Sequence, residues 1–424
     1  MTHATSDPAR KALTGSALTR RLPHALAAAA VLAACLTSPA SAAPLREVMF
    51  VGNNWDGTAD VIKSTGDFAK IGRLNVIPDK SDRLTEIYLN PIKLAFFLGI
   101  RQGPGEGHDQ FVDDMYATPD GTAMVVSRPS FADVVSIDLA TGNIKWRFPV
   151  SGFRSDHMAV SPDGTKIAVS ASTSNNIHVL DINTGRQLGS FKGGDKPHEN
   201  VFTNGGRYLW NMSIGEVNNN FDAPWQDFMK GDRHITVVDA NTYQVVKTID
   251  MRSRLDAFGR KDLSNAVRPA VFSPDYSKLY FQVSFFNGFI EYDVTTDRVT
   301  QVKTLPKNSN TSDDRTTFVN DSRHHGLSMS PDGGKLCVAG TMDDYATIVQ
   351  RSTLQEGPLV TASKPYWATV SGDGRQCVIS ESGSDQVTAI DFGTGQKVVS
   401  VPVGDHPQRV RIARISADWT DPNR

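Results

Sequence analysis

Short runs of alternating apolar and polar residues recur from Val48 to Ile415, and each is closed by a turn signal. Val135-Ser136-Ile137, Ile177-His178-Val179 and Ala389-Ile390 run into Asp138, Asp181 and Asp391, where Asp-x-x-Thr-Gly-like turns follow. Val237-Val238-Asp239 and Glu291-Tyr292-Asp293 repeat the pattern. A period of two with such punctuation predicts short, half-buried β-strands. A second signal alternates with the first: Thr118-Pro119-Asp120-Gly121, Ser161-Pro162-Asp163-Gly164, Ser273-Pro274-Asp275-Tyr276, Ser330-Pro331-Asp332-Gly333 and Ser371-Gly372-Asp373-Gly374, with Thr203-Asn204-Gly205-Gly206 as a weaker copy. A repeat of roughly 40 residues with several strands each predicts a propeller or solenoid. The unit reads strand A, Pro-Asp-Gly turn, strand B, strand C, Thr-Gly turn, strand D.

Six units are complete, and the two ends supply a seventh. Val48 to Gly52 reads as strand B, Ala59 to Ile62 as C and Ala69 to Val76 as D, whereas His406 to Ile415 reads as a strand A with nothing after it. Pairing the N-terminal outer strands with the C-terminal inner strand closes a ring and removes its exposed edges. The expected fold is therefore an all-β, seven-bladed β-propeller over residues 44–424. Insertions are expected on one face, at 78–108, 211–232, 251–266 and 305–323.

Val51-Gly52-Asn53-Asn54, the run Val387 to Val410 and the Ser-Pro-Asp-Gly turns resemble the YVTN-repeat, YncE-like family of secreted seven-bladed propellers. The resemblance spans nearly all of residues 46–415. It implies the fold but not one activity, because similar propellers include lactonases, an antibiotic-ring lyase, copper-bearing reductases and binding proteins.

Residues 1–43 change the address. Arg20 and Arg21 precede an apolar stretch from about Leu22 to Ala34 and then Ala40-Ser41-Ala42, an export-signal pattern. Leu32-Ala33-Ala34-Cys35 also reads as a lipobox, so cleavage and lipid anchoring at Cys35 both stay open. Either places the folded part outside the cytoplasm. No later segment has the length of a transmembrane helix. The net charge of −2 offers no bulk attraction to nucleic acid. Two of the three cysteines, Cys337 and Cys377, follow the leader. They were aligned at equivalent strand positions, and equivalent positions related by rotation point the same way. Free thiols are expected, although the compartment permits a disulfide.

Strand A lines the axis of a propeller, so its repeat offsets nominate the site. Five positions before each turn stand Asp113, Asp156, His198, Arg268, His325 and Tyr366, with Gln408 in the last strand. Four before stand Asp114, His157, Glu199, Pro269, Gly326, Trp367 and Arg409. Most are charged or histidine, and buried charges require partners. One reading is a solvated channel with ion pairs such as Asp156 with Arg409. The other is a ligand site at the channel mouth formed by Asp113, Asp114, Asp156, His325, Tyr366, Trp367 and Arg409, walled by Phe221, Trp225, Phe228 and Phe258.

Three chemistries suit these residues. His157, His198 and His325 supply nitrogen ligands for a divalent or copper-type metal ion, with carboxylates to complete the set. Without metal, His198, Glu199, His157 and Arg268 could run acid–base ring opening of the lactonase or lyase class on a small polar or anionic ligand. No nucleophile elbow is present. The third is a non-catalytic scaffold that binds a protein or glycan on its rim.

Overall fold

The computed structural model describes residues 44–217 and 228–422. The export signal, Cys35, Phe221 and Trp225 lie outside them. Seven four-stranded antiparallel sheets make up the fold. The closing blade takes its inner strand, Pro407–Ser416, from the C-terminus and Leu45–Asn53, Thr58–Lys63 and Lys70–Asn75 from the N-terminus. Val48 faces Ala413 and Phe50 faces Arg411 across the join. The expected ring closure is thus observed.

The Pro-Asp-Gly turns join strands A and B on the lower face. Their glycines take positive φ, +68° at Gly121 and +70° at Gly164, a conformation glycine adopts without steric cost. In each turn the leading hydroxyl donates to the Asp carboxylate, as Ser273 does to Asp275 at 2.6 Å. The A–B turns therefore carry their own hydrogen bonding and leave the opposite, upper face free for insertions.

On that face the segment 78–108 folds into two helices, α1 (Lys80–Tyr88) and α2 (Pro91–Gln102). Asn90 caps α2, accepting from Ile92 N and Lys93 N, and Pro91 opens its first turn, as an N-cap followed by proline should. The segment 251–266 begins with α3 (Met251–Ala257), and 305–323 holds two short 3₁₀ turns. The end of the α1–α2 insertion is held by a ring stack. Trp55 lies between His108 and His406, with centroids 3.8 and 3.7 Å away and planes within 10°. Arg101 clasps Asp109, and Lys364 reaches Glu106 at 2.8 Å.

Burial pushes the His406 imidazole down to about 3, helped by Lys364 and His108. The folded state then binds fewer protons than the unfolded chain between pH 6.5 and 3. Stability from this group is present above pH 6.5 and lost as pH falls, at up to about 1.4 kcal/mol per unit. A His406→Phe variant keeps a ring on Trp55 but cannot titrate. Urea unfolding from pH 7 to 4 should show a shallower loss in the variant than in the parent; parallel curves would disprove the assignment.

Cys337 and Cys377 form a disulfide, with Cα atoms 6.3 Å apart, which corrects the expectation of free thiols. The cause is a one-residue offset. Ser330 pairs with Lys335 and Ser371 with Gln376, so Cys337 lies two residues past its anchor and Cys377 only one. Side chains alternate along a strand, and that offset puts the two sulfurs on opposite faces of neighbouring blades. Adjacent blades stack face to face, so the thiols meet.

Candidate functional site

The axis-lining pairs owe their geometry to a repeated bulge in strand A. Ser155 pairs with Ala171 and Met158 with Val169, leaving Asp156 and His157 opposite Ser170 alone. His198 and Glu199 stand likewise between the Pro197–Ser213 and Asn200–Asn211 pairs, and Arg268 and Pro269 between Val267–Val283 and Ala270–Phe281. Two residues against one bend the strand and re-aim its side chains. The bulge carbonyls are satisfied from the preceding blade. Ser127 Oγ donates to Asp156 O at 2.8 Å, Ser170 Oγ to His198 O at 2.9 Å and Ser380 Oγ to Gln408 O at 2.6 Å. These strand-B serines were not singled out in the sequence, yet they recur at one offset, which is the signal that marks them.

The two offsets form layers, not one ring. Asp113, Asp156, His198, Arg268, Tyr366 and Gln408 line an upper cavity of about 380 Å³, with His157 at its base. Glu199 and Trp367 line a separate lower cavity at the other end of the axis. His325 is fully buried in the plug, with Nδ1 3.2 Å from Tyr366 O and its ring stacked on Tyr366. Asp114 is held below by Arg411, whose Nε and Nη2 each donate at 2.8 Å.

At the base of the upper cavity, the ring centroids of His157 and His198 are 3.6 Å apart. His198 Nδ1 is 3.1 Å from Asp156 Oδ1, and His157 Nε2 is 3.4 Å from the same oxygen. His157 Nδ1 bonds Glu199 Oε2 at 2.9 Å, and Asp113 Oδ1 lies 3.8 Å from His157 Nε2. Asp156, His157 and His198 each offer one ligand atom, all within 4.8 Å of one another, an arrangement that could hold a metal ion. His325 is not in this group: its centroid is 6.4 Å from that of His157 and 6.0 Å from that of His198.

Electrostatics follow from burial and neighbours. Burial raises Glu199 to about 7 against the pull of Arg409 and Arg411, and it raises Asp113 as well, with Asp156 and Asp114 adding to the shift. Burial opposes ionisation of Asp156 too, but Arg154 and His198 outweigh it and hold the carboxyl low. Burial drives His198 down to about 4 and His157 well below its ordinary value, with Arg409 adding to the latter. The imidazoles are therefore neutral at pH 7, the form that can coordinate a metal.

The expected Asp156–Arg409 pair is not made. The cation on Asp156 is Arg154, two residues earlier in the chain, which also donates to Gln110 Oε1 at 3.2 Å. Arg409 instead lies over the Trp367 ring, 3.7 Å from its centroid, and donates to His157 Nε2. Arg268 donates to Ser284 Oγ at 3.0–3.1 Å and to the Asn320 carbonyl. The cavity roof comes from α2, through Ala95, Phe96, Gly99 and Ile100. Of the aromatics proposed as walls, Phe228 and Phe258 are 78% and 41% exposed and do not line it.

No family model matches the chain, and no curated protein matches it in sequence. Among solved structures, it is similar to hydrazine synthase of Kuenenia stuttgartiensis, with a TM-score of 0.54 and 18% identity over 73% of this chain and 96% of that one. Likeness at that identity extends to the propeller fold.

Proposed function

We propose that this chain is an extracytoplasmic YVTN-type propeller that binds a transition-metal ion at Asp156, His157 and His198 and offers it to a small polar or anionic ligand in the upper cavity. The observation that carries this reading is the buried trio within 4.8 Å, backed by the bond from Glu199 to His157. A carboxylate on the far nitrogen of a ligating histidine fixes its tautomer and strengthens it as a donor. Two nitrogens and one oxygen suit zinc or copper better than magnesium or calcium. Arg409 occupies the lone pair of His157 Nε2, so a metal must displace that contact. The disulfide supports an oxidising compartment. No helix among the described residues is long and apolar enough to cross a membrane.

Catalysis, in this reading, is ring opening of the lactonase or lyase class. Arg268 and Tyr366, which line the same cavity, would hold the ligand. A second reading, a non-catalytic scaffold for a protein or glycan, draws on the apolar tip of the helical hairpin, where Leu89 is 80% and Ile92 61% exposed.

Chelator-stripped protein titrated with Zn²⁺ or Cu²⁺ should take up one ion per chain. A titration with no saturable, stoichiometric uptake of either ion would remove the metal reading and leave the scaffold.

A further inference from the structure

The lower cavity has no role in the site above. It encloses about 370 Å³ and opens toward the face that carries the Pro-Asp-Gly turns, with Pro162 at its rim. The plug of Arg409 stacked on Trp367 divides it from the upper chamber. Val201, Val271, Leu327, Met329 and Val370 wall it with apolar surface. Its polar groups are gathered at the inner end, where Tyr116, Glu199, Trp367 and Arg411 meet. A concave apolar chamber of this size with a few convergent polar groups has the form of a small-molecule site.

Two donors at that inner end are unspent. Trp367 Nε1–H is buried and has no hydrogen-bond partner among the described residues. Arg411 spends Nε and Nη2 on Asp114, which leaves Nη1 outside those bonds, and its guanidinium is held between Tyr116 and Trp367 at 5.1 and 4.9 Å. A buried donor without an acceptor costs free energy that a ligand carbonyl would recover. Charge narrows the ligand class further. The guanidiniums of Arg409 and Arg411 stand against the carboxylates of Asp114 and Glu199, so the inner end has no surplus charge for an ion to neutralise.

We propose that this chamber is a second binding site, independent of the metal, for a small neutral molecule with an apolar body and one carbonyl head. The carbonyl oxygen accepts from Trp367 Nε1–H and Arg411 Nη1, and the body lies among the valines.

The probe is 4-phenyl-2-butanone, with 4-phenylbutyrate as the anionic analogue of similar body. Indole N–H resonances of the full-length protein are followed during titration, and the Trp367 signal is identified by its loss in Trp367→Phe. The ketone should saturate with a dissociation constant of about 1 mM or tighter and shift the Trp367 signal. The butyrate should bind at least ~10-fold more weakly, and stripping or loading the upper site with Zn²⁺ should change neither result. Val271→Asp should weaken the ketone by a similar factor; the wild-type indole shift stands as a readout if that variant does not fold. The proposal is overturned if the Trp367 resonance does not move saturably, if the butyrate binds as well as the ketone, or if ketone binding follows metal occupancy. Failure of metal uptake alone leaves it standing.

Discussion

His198→Ala should lower Zn²⁺ affinity by on the order of a thousandfold, while Glu199→Gln should lower it by about 10- to 100-fold. The ranking follows from geometry. His198 is one of three donors within 4.8 Å, and a lost donor has no substitute nearby, since His325 is 6.0 Å away by ring centroid. Glu199 touches only the far nitrogen of His157, at 2.9 Å, so its amide analogue disturbs orientation and basicity but leaves every ligand in place. Arg409 sets the sign of a third variant. A unit charge about 4 Å from a divalent ion opposes it by roughly 8 kcal/mol at an effective dielectric of 20, before neighbouring carboxylates compensate. Arg409→Met should therefore tighten metal binding. Competition titrations against a chromophoric chelator read all three. Equal affinities for parent, His198→Ala and Glu199→Gln would place any bound metal elsewhere on the protein.

Arg128→Ala should destabilise the fold by about 3–5 kcal/mol, toward the lower end. Arg128 is fully buried, donating at 2.8 Å to both oxygens of Asp133 and at 2.6 Å to Asp79, the N-cap residue of α1. Removing it strands two carboxylates, and only Asp133 keeps another cation, Arg147. Because Asp79 anchors the helix pair that roofs the cavity, the damage should also loosen residues 78–108. Urea unfolding measures the first effect and limited proteolysis of that segment the second. Adding Asp133→Asn should recover part of the loss by removing one stranded charge. An unchanged unfolding midpoint in Arg128→Ala would mean that the pair contributes nothing net.

The blades were readable because each turn carries its own chemistry. Ser-Pro-Asp-Gly encodes a positive-φ corner and a hydroxyl–carboxylate bond locally, so seven copies index the ring without tertiary information. The same index brought Asp156, His157 and His198 together across blades. What it could not supply was depth along the axis. Bulges place successive residues at different heights, so Glu199 and Trp367 went to the lower chamber and His325 into the plug. Arg154 was missed because it precedes the indexed offsets, and the disulfide because one residue of slippage reverses a strand's faces. Helices α1 and α2 lay in an insertion outside the repeat, although Asn90-Pro91 marks the start of the second.

The join between Leu45–Asn53 and Pro407–Ser416 has a kinetic corollary. A chain released from its ribosome or a translocation pore end-first holds an unmated edge on its earliest blade until the very last residues emerge. Bringing those partners together costs about 5 kcal/mol of chain entropy for a span of this length. Shortening the protein by even its final dozen residues would thus trade a sealed circle for an open array with two sticky borders.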